Sequence, residues 1–161
     1  MLTLKPASVG SVSTATLRPE DLLSTFLSEL EGLALLSGDF LSMPENFPLR
    51  DSIAAAVGDA QDCFGEDGET LSEDGESDAP EVLEALQDTL SLFAPPYCYF
   101  GAHPGDGAAF GFWPSSEEID ELPTVEDSDG AKELGEDCKA VNDHGNVTVY
   151  SGEGRILLEL V

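Results

Sequence analysis

Tyr97-Cys-Tyr-Phe-Gly-Ala-His-Pro-Gly-Asp-Gly-Ala-Ala-Phe-Gly-Phe-Trp-Pro114 holds two of the chain's three tyrosines, three of its eight phenylalanines and its only tryptophan. Among 33 acidic residues it carries one, Asp106. Aromatic runs on either side of His103-Pro-Gly-Asp-Gly107 predict two strands of a β-hairpin joined by a longer loop. Downstream, Lys139–Val141, Val147–Tyr150 and Ile156–Val161 are β segments separated by the turn clusters Asn142–Asn146 and Ser151–Gly154, which predicts a three-stranded meander. Upstream the pattern is helical. Pro19, with Glu20 and Asp21 behind it, suits a helix start, and Leu22, Leu23, Phe26, Leu27, Leu30 and Leu33 recur at helical spacing. Gly38–Pro48 reads as a loop and Arg50–Val57 as a short second helix, with Ile53, Ala54 and Val57 on one face. Pro80 reads as the opening of a third, with Leu83, Leu86, Leu90 and Phe93 as a core stripe and Glu81, Glu84 and Asp88 on another face, closed by Pro95-Pro96. The prediction is an α+β domain: an antiparallel sheet of about five strands, hairpin plus meander, packed against N-terminal helices.

At 161 residues the chain suits a single domain, 1–161, with a core that needs no staples. Residues 1–17 (Leu2, Leu4; Val9, Val12) alternate weakly, as an edge strand or an arm. Residues 18–93 read as helical around an acidic loop, 59–79. Residues 97–161 read as mainly β, with an acidic insert, 114–137. Cys63, Cys98 and Cys138 are odd in number and widely spaced, a pattern of free thiols in a reducing compartment rather than of disulfides or zinc. Met1–Pro6 has no charged head followed by an apolar run, and no stretch is long enough to span a membrane, so a soluble protein of the cytoplasm is expected.

Charge is the functional clue. The net charge is −27, with six Lys and Arg in all. Charge of that size opposes compaction by self-repulsion, and so few cations cannot build a phosphate-binding surface. Direct nucleic-acid binding is not expected; a basic partner is. The acids are concentrated in two segments. Residues 59–91 contain twelve acids and no cation; the first half, with Glu-Asp-Gly-Glu repeated at 66–69 and 73–76 and punctuated by glycine, reads as a solvated or disordered loop, the second half as helix. Residues 114–137 contain ten acids and one cation, Lys132, and Ser115–Glu118 reads as the start of one helical turn.

Tyr99-Phe-Gly-Ala-His-Pro-Gly-Asp-Gly-Ala108, Phe110-Gly-Phe-Trp113 and Val141-Asn-Asp-His-Gly-Asn-Val-Thr-Val-Tyr150 together resemble a family of small acidic proteins of phages, prophages and other mobile elements. The resemblance covers the C-terminal half and, more loosely, the leucine-rich helices and Pro95-Pro96. The family has no established general activity, so the resemblance implies a setting, the contest between a mobile element and its host. Family members tend to carry a polar or acidic residue after the Gly-Ala. This chain has Ala109 there, which argues against a catalytic acid.

Three classes of function follow from these residues. In the first, the chain imitates DNA and blocks a host nucleic-acid-binding defence protein, such as a restriction or CRISPR effector, by occupying its basic groove. Its partner-binding acids are then Asp62, Glu66, Asp67, Glu69, Glu73, Asp74, Glu76, Asp78, Glu81, Glu84 and Asp88, with Glu117, Glu118, Asp120 and Glu121. In the second, an acidic adaptor or assembly protein binds a basic partner through the aromatic hairpin, at Tyr99 and Trp113. In the third, His103, Asp106, Asp143 and His144 converge as nitrogen and oxygen ligands of a catalytic metal. His103-Pro-Gly-Asp106 superficially resembles the His-Pro-Asp-Asp stretch of zinc-dependent N-acetylglucosaminyl deacetylases, but the further histidines such enzymes need are missing. Pro, Gly, Asp and Asn in these segments are explained by turns alone. A Cys98–His nucleophile pair is set against the ordinary fate of a thiol in an aromatic strand, which is to be buried and inert. There is no nucleophile elbow, phosphate loop or dinucleotide fingerprint. The repeats also lack the ligand spacing of an EF-hand. No enzyme activity, metal or cofactor is therefore expected.

Overall fold

A computed structural model describes residues 3–161; Leu2, part of the N-terminal alternation, lies outside them. The contacts group into two compact units, Met1–Ala94 with Phe100–Trp113, and Pro95–Tyr99 with Pro114–Val161.

The first unit is built on three long helices. α1 (Pro19–Leu36) starts as its sequence predicts, with Pro19 at the first position and Glu20 and Asp21 in the first turn. Thr16 Oγ1 donates to Asp21 at 2.7 Å. α1 buries Leu22, Leu23, Phe26, Leu30 and Leu33. α2 (Gly38–Leu41) and a 3₁₀ turn (Pro44–Asn46) occupy the expected loop. α3 (Phe47–Asp62) is twice as long as the Arg50–Val57 expectation, because Pro48 suits its first turn and Ala56 and Ala60 continue its buried face. α4 (Glu73–Ser91) starts about two turns before Pro80, which lies exposed inside the helix. The start is at Ser72, whose Oγ accepts from Gly75 N at 2.9 Å.

α1, α3 and α4 pack on one another around Phe26, Leu30, Leu86, Leu90 and Phe93, all essentially inaccessible to solvent. Each such side chain contributes about 1.5–3 kcal/mol by leaving water. Leu83 of the expected stripe is half-buried. The aromatic stretch forms β2 (Cys98–His103) and β3 (Asp106–Pro114), joined by Pro104-Gly105, so the connection is two residues rather than a longer loop. Phe26 meets Phe100 and Phe100 meets Phe112 edge-on, both at 4.9 Å, and Phe110 lies tilted against Phe26 at 5.4 Å. Edge-to-face aromatic pairs at this spacing are favourable beyond their buried area.

The expected single sheet of about five strands is two sheets of three. β1 (Gly10–Ser13) pairs antiparallel with β3, giving the order β1-β3-β2. β4 (Cys138–Val141), β5 (Val147–Tyr150) and β6 (Ile156–Leu160) form the predicted meander, as a sheet of their own in the order β4-β5-β6. The hairpin took its third strand from the N-terminal segment instead of from the meander.

The second unit has a small core of Ile119, Val149 and Leu158. The acidic insert is helical in two places, α5 (Ser116–Asp120) and α6 (Ser128–Leu134). Asp127 caps α6 through the N–H groups of Asp129 and Gly130, both at 3.0 Å. Lys139 Nζ donates to the carbonyls of Ile119 and Asp120 at 3.1 and 2.8 Å. Among the described residues no helix is long and apolar enough to cross a membrane.

Candidate interaction surface

The expected acidic loop, 59–79, is largely ordered structure. Asp59–Asp62 completes α3, residues 63–72 form a tight connection, and 73–79 are the first two turns of α4. In the connection, Phe64 pairs with Leu71, and Gly65 N donates to Thr70 O at 2.8 Å. Asp67 accepts from Thr70 Oγ1 at 2.5 Å, Thr70 N at 2.9 Å and Glu69 N at 3.0 Å. These donors, the hydroxyl first, hold its carboxyl down to about 2.

α4 sorts its residues by face. Gly75, Ala79, Leu86, Thr89 and Leu90 are buried, while Glu73, Asp74, Glu76, Asp78, Glu81, Glu84 and Asp88 are all exposed. At about 100° per residue, six of these seven acids, all but Glu76, fall within an arc of about 140°. Over a rise of about 22 Å the seven give roughly one charge per 3–4 Å. The first-turn acids Glu73, Asp74 and Glu76 also sit where the helix dipole favours negative charge. Sequence reasoning placed Glu73, Asp74, Glu76 and Asp78 in a loop. The signal that would have found the stripe is Ser72, a capping residue ahead of acids.

α3 and α4 come together at Gly75, where a Cβ would lie 1.9 Å from the carbonyl oxygen of Cys63. Glycine therefore permits the helix start to rest on the end of α3. The result is a cleft of about 370 Å³ lined by Asp59, Asp62, Asp74, Asp78 and Glu81, with Cys63, Val82 and Ala85 between them. Burial pushes the Cys63 thiol up, and the carboxylates of Asp78, Asp59 and Asp62 push it further.

Among the described residues no ion pair involves any acid of 59–91. Arg18 pairs with Glu20 and Asp21, Arg50 with Asp51, Lys132 with Asp129, Lys139 with Asp120 and Arg155 with Glu153. The first unit holds 20 acids against Lys5, Arg18 and Arg50, the second 13 against Lys132, Lys139 and Arg155. Glu66, Asp67, Glu69 and Asp62 are likewise exposed, as are Glu117, Glu118, Asp120 and Glu121 on and after α5 of the second unit.

The other candidates are used differently. Trp113, half-buried in the first unit, donates its indole N–H to Gly101 O at 3.0 Å and meets the His103 ring edge-on at 4.7 Å. Tyr99 is half-buried in the second unit. His103 Nδ1 accepts from Gly105 N, and Asp106 accepts from Ala108 N, both at 3.0 Å, so each shapes the turn. Asn142 accepts from the N–H of His144 and of Asn146 in the second turn. The convergence of His103, Asp106, Asp143 and His144 does not occur: among the described residues no group of three or more His, Cys, Asp or Glu is placed to hold a metal ion. Burial, then the charge of Glu118, pushes the Cys98 thiol up to about 11, the opposite of an activated nucleophile. Tyr97, at φ +62°, donates its hydroxyl to Asp137 at 2.6 Å; burial and that bond push its phenol up to about 12.

Comparison with known protein families, with curated proteins and with solved structures finds no match.

Proposed function

We propose that this chain is an acidic imitation of DNA that occupies the basic groove of a host nucleic-acid-binding protein, in the cytoplasm of a cell that carries a mobile element. The observation that carries the reading is the unpaired acidic stripe of α4. Each strand of duplex DNA carries one negative charge per ~3.4 Å. Six acids of the stripe lie on one face of a helix, at about one per 4–5 Å, and among the described residues no cation pairs with them. Asp59 and Asp62 of α3, across the cleft from Asp74, Asp78 and Glu81, add to the same field. A restriction or CRISPR effector is the kind of target that the resemblance to mobile-element proteins favours.

Association driven by such a field is fast, falls with salt and competes with nucleic acid. The test is capture of host nucleic-acid-binding complexes on the immobilised chain, eluted with a salt gradient. The partner should leave at moderate salt, be displaced by duplex DNA, and be lost when Glu73, Asp74, Asp78, Glu81, Glu84 and Asp88 are changed to their amides. A partner held equally well by the amide variant, or indifferent to DNA, would end the reading. Loss of the partner on Trp113→Ala alone, with the fold intact, would transfer the function to the aromatic hairpin.

A further inference from the structure

On the opposite flank of α3 lies a second groove, of about 550 Å³, walled by Ala34 and Leu35 of α1, Leu41 of α2, and Ile53, Ala54 and Val57 of α3. Its lining is apolar between polar ends. At one end Gln61 Nε2 donates to Glu31 at 3.3 Å. At the other, Arg50 is held by Asp51 and lies over the Phe47 ring at 4.1 Å. Leu35, on the rim of the groove, is 83% exposed. At about 100° per residue Leu35 stands about 200° round α1 from the buried Leu33, so the core does not claim it. A single exposed leucine needs no explanation, but one on the rim of an apolar groove in a chain this charged marks a contact surface.

The charge around the groove selects its occupant. A second copy of the chain would bring two strongly negative units together, and repulsion opposes that. The carboxylate cleft lies across α3, about 10 Å away by the width of a helix. Apolar seat and anionic flank together complement one kind of ligand. We infer that this groove seats an amphipathic α-helix of the basic partner protein. The helix lays its apolar side chains between α1 and α3 and turns Lys and Arg toward the carboxylates across α3. The α3 wall from Arg50 to Gln61 is about 16 Å long, enough for three turns and for anchors at i, i+3 or i+4, and i+7. The inference rests on the proposed basic partner and adds the element which that partner presents.

The probe is a synthetic 18-residue peptide of Lys and Leu in amphipathic helical order, with a scrambled peptide of the same composition as its control. Both are titrated calorimetrically into the full-length chain at 150 mM NaCl. The ordered peptide should bind at least tenfold more tightly than the scrambled one and shift the amide resonances of Leu35, Ala54 and Val57. Ala54→Glu should weaken it tenfold or more, although the added negative charge would strengthen a purely electrostatic complex. Leu35→Ser, at an exposed position, should act in the same direction, with circular dichroism confirming that both variants fold. Equal affinity for the two peptides, no binding of either, or tighter binding to Ala54→Glu would overturn the groove. The first and third of those results leave the acidic stripe standing. Unchanged affinity of the α4 amide variant, which lacks three of the five cleft carboxylates, for the ordered peptide would overturn the pairing of Lys and Arg with the carboxylates across α3.

Discussion

The same tetrapeptide, Glu-Asp-Gly-Glu, occurs twice within eleven residues and adopts two structures. At 66–69 it is a turn: Gly68 takes φ +67°, and Asp67 gathers three donors from Glu69 and Thr70. At 73–76 it is the first turn of a helix: Ser72 caps it, Glu76 N donates to Ser72 O at 2.8 Å, and Gly75 rests on Cys63. The residue ahead of the repeat and the surface behind it decide the outcome. Gly65 offers no cap, and nothing lies within 4 Å of where a Cβ at Gly68 would be. Ser72 offers a cap, and the end of α3 lies against Gly75.

The two glycines give the strongest test of that contrast. In an ordinary helix, alanine in place of glycine is favoured by about 1 kcal/mol. Gly75→Ala should instead destabilise the protein by about 3 kcal/mol in chemical denaturation, because the new methyl meets a backbone carbonyl that cannot yield cheaply. A rise in stability would mean that α4 does not rest on Cys63. Gly68→Ala should cost about 1–2 kcal/mol, from the left-handed backbone alone and not from any clash. Ser72→Ala should remove about 1 kcal/mol and fray the start of α4, seen as faster amide exchange at Gly75 and Glu76. If exchange there is unchanged, the helix start is held by packing alone.

The smallest effect is electrostatic. Asp67 is held at about 2, against 3.8 for the free side chain. Depressed in this way, it contributes stability that is present above pH 3.8 and lost as the pH falls through about 2. Thr70→Val removes the leading donor, so the Asp67 carboxyl resonance should titrate at a higher pH, moving toward 3.8. An unmoved midpoint would assign the shift to the backbone N–H groups.

Much of the fold was legible because its signals are local. Pro19 with two acids behind it, the leucines of α1 and the turn clusters of the meander each carry their instruction in a few neighbouring residues. The errors fall where distant residues competed. Pro80 is a good helix start in isolation, but Ser72 is a better one and α4 begins there. The hairpin needed a third strand, and whether Gly10–Ser13 or the meander supplied it is a matter of register and packing between segments a hundred residues apart. The acidic stripe is half legible: helical spacing puts Glu81, Glu84 and Asp88 on one face, while the glycine-punctuated acids ahead of Pro80 carry the pattern of a loop. Leu35 was lost because a hydropathy pattern counts leucines without saying which way a helix ends up facing.

The charge, the leucine stripe of α1, the strands of the hairpin and meander and the aromatic content of the core follow from composition and short-range periodicity alone. That α4 rests on α3 at Gly75 follows from packing between elements. That contact puts Asp59 and Asp62 beside Asp74, Asp78 and Glu81, residues whose proximity no spacing rule encodes. Packing also decided that α3 has an anionic flank and an apolar one. A helix has no sidedness until its neighbours cover part of it, and the faces they leave open are the ones a partner meets.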